Sequence, residues 1–205
     1  MNRNVAILVV ALASILIGNT PVYGKPISKP SQKHIDVRPT RWMAVGKLTG
    51  GMLVGEAADA VDEFNGTFKD KVVYGVGFGL EYAVGEKWLV GPIVEYDWKI
   101  EAEASMEAIR ATSYGASVLY RFSPGQASTY TLRCEPGYML VGDDSYPYIR
   151  IGAGSLFYTS STVALRAEVY YKHGFGSDGD SSTTTTPDYT DVAYFGISLD
   201  FSVGF

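Results

Sequence analysis

This 205-residue sequence predicts an all-β fold, an eight-stranded antiparallel up-and-down transmembrane β-barrel. Three observations predict it. Apolar residues alternate with polar or very small ones over repeated stretches, and a period of two is the signature of a strand with two unlike faces. The connections between those stretches alternate short and long along the chain. After residue 24 there is no apolar run of spanning length, and a membrane chain without spanning helices must satisfy its backbone in a closed barrel.

The N-terminus reads as an export signal. Residues 1–4 are a short basic start, 5–18 are apolar, and Val22 and Gly24 occupy the two cleavage-determining positions. A secretory signal peptide over 1–24, cut after Gly24, is expected. The apolar run is shorter than the roughly 20 residues of a spanning helix, and no cysteine lies near the cut to carry a lipid. Residues 25–41 are basic and proline-bearing without periodicity, and read as a solvated periplasmic leader. The barrel is expected over 42–205.

Composition excludes several classes. A formal net charge of −5 argues against nucleic acid as a partner. Cys134 is the only cysteine, so there is no disulfide framework. His34 and His173 are far apart, and neither a metal site nor a cofactor is expected.

The strands follow in order. The first, 42–54, is the least regular and carries several glycines. The second, 72–84, is the clearest: Val72, Tyr74, Val76, Phe78, Leu80, Tyr82 and Val84 oppose Gly75, Gly77, Gly79 and Glu81. In the third, 88–100, Val90, Pro92, Val94, Tyr96 and Trp98 oppose Gly91, Glu95, Asp97 and Lys99. The fourth, 112–122, sets Tyr114, Ala116, Val118 and Tyr120 against Ser113, Gly115, Ser117 and Arg121. The fifth, 130–141, sets Leu132, Cys134, Tyr138 and Leu140 against Arg133, Glu135 and Gly137. The sixth, 148–158, sets Ile149, Ile151, Ala153 and Phe157 against Arg150, Gly152 and Gly154. The seventh, 163–173, sets Leu165, Ala167, Val169 and Tyr171 against Arg166, Glu168 and Lys172. In the eighth, 194–205, Phe195, Ile197, Leu199, Phe201, Val203 and Phe205 oppose Tyr194, Gly196, Ser198, Asp200, Ser202 and Gly204. Connections 85–87, 123–128 and 160–162 are short; 55–71, 101–111 and 174–191 are longer; 142–147 is intermediate. Short periplasmic turns and longer extracellular loops are what an outer-membrane barrel has.

A soluble lipocalin-like binding barrel also alternates, with its apolar face inside. Three features favour the inverse. The apolar face of every assigned strand lacks Asp, Glu, Lys and Arg, as lipid demands. The opposite face is rich in glycine, which suits a narrow interior that eight strands barely leave room to fill. The charges on that face balance: Lys47, Lys99, Arg121, Arg133, Arg150, Arg166 and Lys172 against Glu81, Glu95, Asp97, Glu101, Glu135, Glu168 and Asp200. Near mid-strand, Glu95, Arg133, Glu135, Arg150, Arg166 and Glu168 are expected to form a lumen ion-pair network, since buried charges must be paired. Tyr74 and Tyr82, Trp88 and Trp98, and Tyr114 and Phe122 are expected to form two aromatic girdles. Residues eight apart on a strand tilted near 40° stand roughly 20 Å apart along the membrane normal.

On these residues the chain resembles the small eight-stranded outer-membrane barrels, the OmpA/OmpX-like group, over 42–205. The sharpest motif is in the last strand, where Tyr194, Gly196, Leu199 and Phe201 resemble the assembly signal of these proteins and Phe205 their terminal aromatic. The resemblance implies the barrel-assembly machinery, outer-membrane lipid and lipopolysaccharide as partners. No OmpA-type peptidoglycan-binding domain is expected after the barrel, so the wall-tethering role known in that group is not carried over.

Three functions are open to such a chain. The first is a non-enzymatic role in envelope integrity or surface interaction, exercised through extracellular loops toward an unknown ligand. The second is a narrow pore or small-molecule carrier, which a crowded, charged lumen disfavours. The third is a lipid A-modifying enzyme. Deacylases of this kind use a His-x-Ser pair, whereas here Ser177 stands four residues beyond His173 and no catalytic residue is expected. The Asp178–Asp180 stretch lacks the acidic closing residue of a calcium loop.

Overall fold

The computed structural model describes residues 41–54, 71–99, 110–141, 144–175 and 191–205. The expected signal peptide over 1–24 and the leader up to residue 40 lie outside the described residues. Eight strands follow one another: β1 (Trp42–Val54), β2 (Val72–Val84), β3 (Trp88–Lys99), β4 (Arg110–Arg121), β5 (Ser128–Val141), β6 (Asp144–Tyr158), β7 (Val163–Phe175) and β8 (Asp191–Gly204). Each pairs antiparallel with the next, and β8 pairs with β1 to close the barrel.

Several strands are longer than the amphipathic pattern predicts. β4, β5 and β7 each gain two residues at one end, and β8 starts three residues early. The largest correction is at 142–147. Residues 144–147 stay in register with 138–141, so this connection shrinks to residues 142–143. A backbone ladder continues wherever both chains stay extended, whether or not the side chains alternate in polarity. One consequence is Arg110, which lies beside Trp98 on the outer face at the very end of β4. The outer face is therefore charge-free only away from its rim.

The three short turns lie at one end. Gly85 (φ 68°) and Gly125 (φ 83°) adopt the left-handed conformation that glycine takes without steric cost. In the third turn, Ser160 Oγ accepts hydrogen bonds from the amides of Thr162 (3.2 Å) and Val163 (3.0 Å). Connections 55–71, 100–109, 142–143 and 176–190 join strands at the opposite end.

Apolar side chains face out. Phe78, Leu48 and Leu199 are 73%, 61% and 60% exposed, while Arg133 and Arg150 on the inner face are wholly buried. This is the reverse of a lipocalin, and that alternative arrangement is not the one adopted. The inner glycines make room. A Cβ at Gly152 would run into the Glu168 carboxyl group, and one at Gly91 into the Leu80 carbonyl.

Two prolines interrupt the ladders. β2 and β3 are paired at Gly79–Ile93 and again at Tyr82–Val90, skipping Pro92. β4 and β5 are paired at Gly115–Gly137 and again at Val118–Cys134, skipping Pro136. Proline has no N–H to donate. Pro92 lies opposite Ala116, and the β4–β5 register puts Pro136 opposite the same residue. The two gaps therefore flank the β3–β4 hairpin at one height.

Candidate functional site

The interior is built in three layers. At the long-connection end, Leu53, Val73, Ala111, Met139, Tyr148, Tyr170, Val192 and Tyr194 form an apolar cluster. At the short-turn end, Met43, Leu89, Leu119, Leu156, Tyr158 and Ala164 form another. Between them lies an ionic layer. Among the described residues, five buried cations (Lys47, Arg133, Arg150, Arg166, Lys172) face six buried carboxylates (Glu81, Glu95, Asp97, Glu135, Glu168, Asp200) there. The side chain of Lys99 and residue Glu101, also expected in this balance, lie outside what is described.

The six residues singled out from the sequence meet in this layer. Arg150 donates to Glu95 (2.7 Å) and Glu168 (3.3 Å). Arg133 lies 3.0 Å from Glu135 and 3.6 Å from Glu168. Arg166 reaches the others through Asp200, whose Oδ2 also accepts from Arg133 at 2.8 Å. The structure adds Lys47, Glu81, Asp97, Lys172 and Asp200. Lys47 donates to Glu135 at 2.7 Å, and Lys172 joins Glu95 (2.9 Å) to Asp97 (2.6 Å). Glu81 stands 3.4 Å from Arg133 and 3.6 Å from Arg166. Their inward register was legible, but not how far each side chain reaches across the lumen. Arg121 stands apart, donating to the Tyr158 hydroxyl (2.8 Å) and the Glu86 carbonyl. It ties the ends of β4 and β6 to the β2–β3 turn.

Such a layer is not a simple stabiliser. Removing charges from water costs several kcal/mol each, and apolar residues of equal volume often do as well. What it supplies is an unambiguous inside. A strand apolar on both faces would carry no signal to distinguish interior from exterior, and a one-residue slip would go uncorrected.

Aromatic rings mark two levels on the outer face. At the short-turn end Trp42 packs on Tyr82 (centroids 4.7 Å apart), Trp88 on Tyr120 (4.8 Å), and Tyr120 on Phe122 (5.1 Å). At the other end Tyr96 packs on Trp98 (5.9 Å) and Tyr114 on Tyr138 (6.1 Å), with Tyr74 opposite Trp98. Tyr82, Trp88 and Phe122 thus belong to one level, and Tyr74, Trp98 and Tyr114 to the other. The last-strand motif is divided between faces: Tyr194 and Gly196 point inward, Leu199, Phe201 and Phe205 outward. Leu199 and Phe201 border a shallow apolar groove above Gly46, with Leu48, Phe78 and Leu165. His173 lies on the outer face, stacked on Tyr171 and edge-on to Phe175, with Nδ1 3.3 Å from the Tyr171 hydroxyl. Ser177 lies outside the described residues.

No protein-family model and no curated protein matches this chain. Solved structures do. Neisserial surface protein A is similar at 14% identity over 81% of this chain and 98% of its own, with a TM-score of 0.56. The N-terminal barrel domain of Pseudomonas aeruginosa OprF (12% identity, 80% and 98% covered, TM-score 0.45) and the Yersinia pestis attachment invasion locus protein Ail (11%, 80% and 99%, 0.47) are also similar. At such identity the likeness concerns the fold. The chain has the fold of the small eight-stranded outer-membrane barrels.

Proposed function

We propose that this protein is an integral outer-membrane barrel with a non-enzymatic role in envelope integrity or surface interaction, and that its barrel conducts nothing. One observation carries the reading: an exposed apolar belt bounded by two aromatic levels surrounds an interior filled by ion pairs and closed by apolar layers. In water such a belt would be an aggregation surface, far larger than the few hundred Å² that soluble proteins tolerate. In lipid it is the required surface, and tyrosine and tryptophan suit its headgroup margins.

The short turns then face the periplasm, and connections 55–71, 100–109 and 176–190 face outward, where loops carry binding. Bulk lipid and lipopolysaccharide are the partners of the belt. The assembly machinery is the partner of the outward residues Leu199, Phe201 and Phe205. His173 packs among aromatic rings, which suits a rim residue better than a base. An occluded lumen gives neither a pore nor a carrier a path.

The test is fractionation of the full-length protein expressed in a Gram-negative host. It should sediment with outer membrane and migrate faster on gels unboiled than boiled. Brominated lipids should quench its tryptophans after reconstitution. A soluble monomer with unquenched fluorescence would overturn the reading.

A further inference from the structure

We propose that Tyr170, laid across the glycine pair Gly51–Gly196, is the clasp that closes the barrel. Gly196, an inward member of the last-strand motif, then serves closure. Every neighbouring pair of strands is joined by a hairpin connection except β1–β8, which joins the first strand to the last. Closing so long a loop carries the largest entropic cost of any pairing in the barrel.

The geometry at that seam is specific. Tyr170 on β7 is level with Gly196 on β8, which is level with Gly51 on β1. From β7 to β1 is two strand spacings, about 9.6 Å, a span that needs a long, rigid side chain. The Tyr170 hydroxyl would lie 3.0 Å from a Cβ at Gly51 and 2.9 Å from one at Gly196. The two glycines are the floor on which the side chain rests. Its ring is covered by the Arg150 guanidinium, 3.6 Å from the centroid, and Arg150 is held by Glu95 on β3. The seam is thereby fastened to the ionic layer.

A second tyrosine leans the opposite way. Tyr148 on β6 is level with Gly137 on β5 and, through it, Gly115 on β4. A Cβ at Gly137 would lie 2.7 Å from Tyr148 Cε1, and one at Gly115 3.0 Å from its hydroxyl. That strap fastens strands already joined by hairpins, so it is the internal comparison for the one at the seam.

The experiment places Gly51→Ala in three backgrounds of the full chain: native, Tyr170→Phe and Tyr170→Ala. Each is unfolded in urea and refolded in phosphocholine micelles, read by gel mobility. In the native background Gly51→Ala should lower the folded-to-unfolded ratio about tenfold or more, as overpacking does. The loss should shrink with Tyr170→Phe and more with Tyr170→Ala, though not vanish, because the Phe195 carbonyl is 3.1 Å from the same Cβ. Gly50→Ala, where a Cβ meets nothing within 4 Å, should cost little. If Gly51→Ala does not fold at all, its recovery by Tyr170→Ala is the readout. Tyr170→Ala should slow folding more than Tyr148→Ala does. An equal Gly51→Ala loss in all three backgrounds, absent recovery, or equal slowing by both tyrosine variants would overturn the proposal. The micelle assay does not depend on cellular location, so a failed fractionation result and a failed clasp are distinguishable.

Discussion

Lys47 Nζ lies 2.7 Å from Glu135 Oε1, and the two residues belong to β1 and β5, which stand diametrically opposite in an eight-stranded ring. The contact spans the whole lumen. It makes the interior a cross-braced solid at that height rather than a tube.

That brace predicts strong coupling. Lys47→Met alone should destabilise the barrel by about 3–5 kcal/mol, because Glu135 is left buried with fewer partners. Glu135→Gln alone should also destabilise. The double variant should lose clearly less than the sum, read as urea midpoints in micelles. Additive losses would mean that the two charges are not energetically paired.

The outer face is tested by adding a charge. Phe78 and Leu199 are among the most exposed side chains, and on a surface in water an arginine there would change stability by roughly 0.5 kcal/mol or less. Facing the bilayer centre it should cost about 2–4 kcal/mol. Refolding of Phe78→Arg and Leu199→Arg into phosphatidylcholine vesicles measures this. Native-like midpoints for both would show that this face does not meet lipid.

Conductance separates the layers. The native protein should give no steady pore in planar bilayers. Lys47→Ala should leave conductance low, since Leu89, Leu119 and Leu156 still close the short-turn end. A large steady native conductance would contradict the three-layer interior.

The proline gaps make a prediction of the opposite sign. Pro92→Val and Pro136→Val each restore a backbone N–H to a gap in the ladder. Each should stabilise by about 1 kcal/mol, the net worth of a typical hydrogen bond. Lower urea midpoints would mean that close backbone approaches, of the Leu80 carbonyl to Gly91 at the first gap and of the Pro136 carbonyl to Gly115 beside the second, fix the gaps rather than the missing donors.

Side-chain alternation, a local property with a period of two, made the barrel, its eight strands and the apolar face of each legible before any tertiary contact was known. It also determined that Glu95, Arg133, Glu135, Arg150, Arg166 and Glu168 share one face. Strand ends were less legible. Asp144 opens β6 because its backbone stays paired with Val141, and pairing is not written in polarity. That Lys47 reaches Glu135, that two apolar layers cap the charges, and that Tyr170 crosses Gly196 to Gly51 emerged with the closed barrel. Those relations join residues remote in sequence, and they depend on barrel radius and strand stagger. Both are set by closing all eight strands at once, and neither is a property of any single strand.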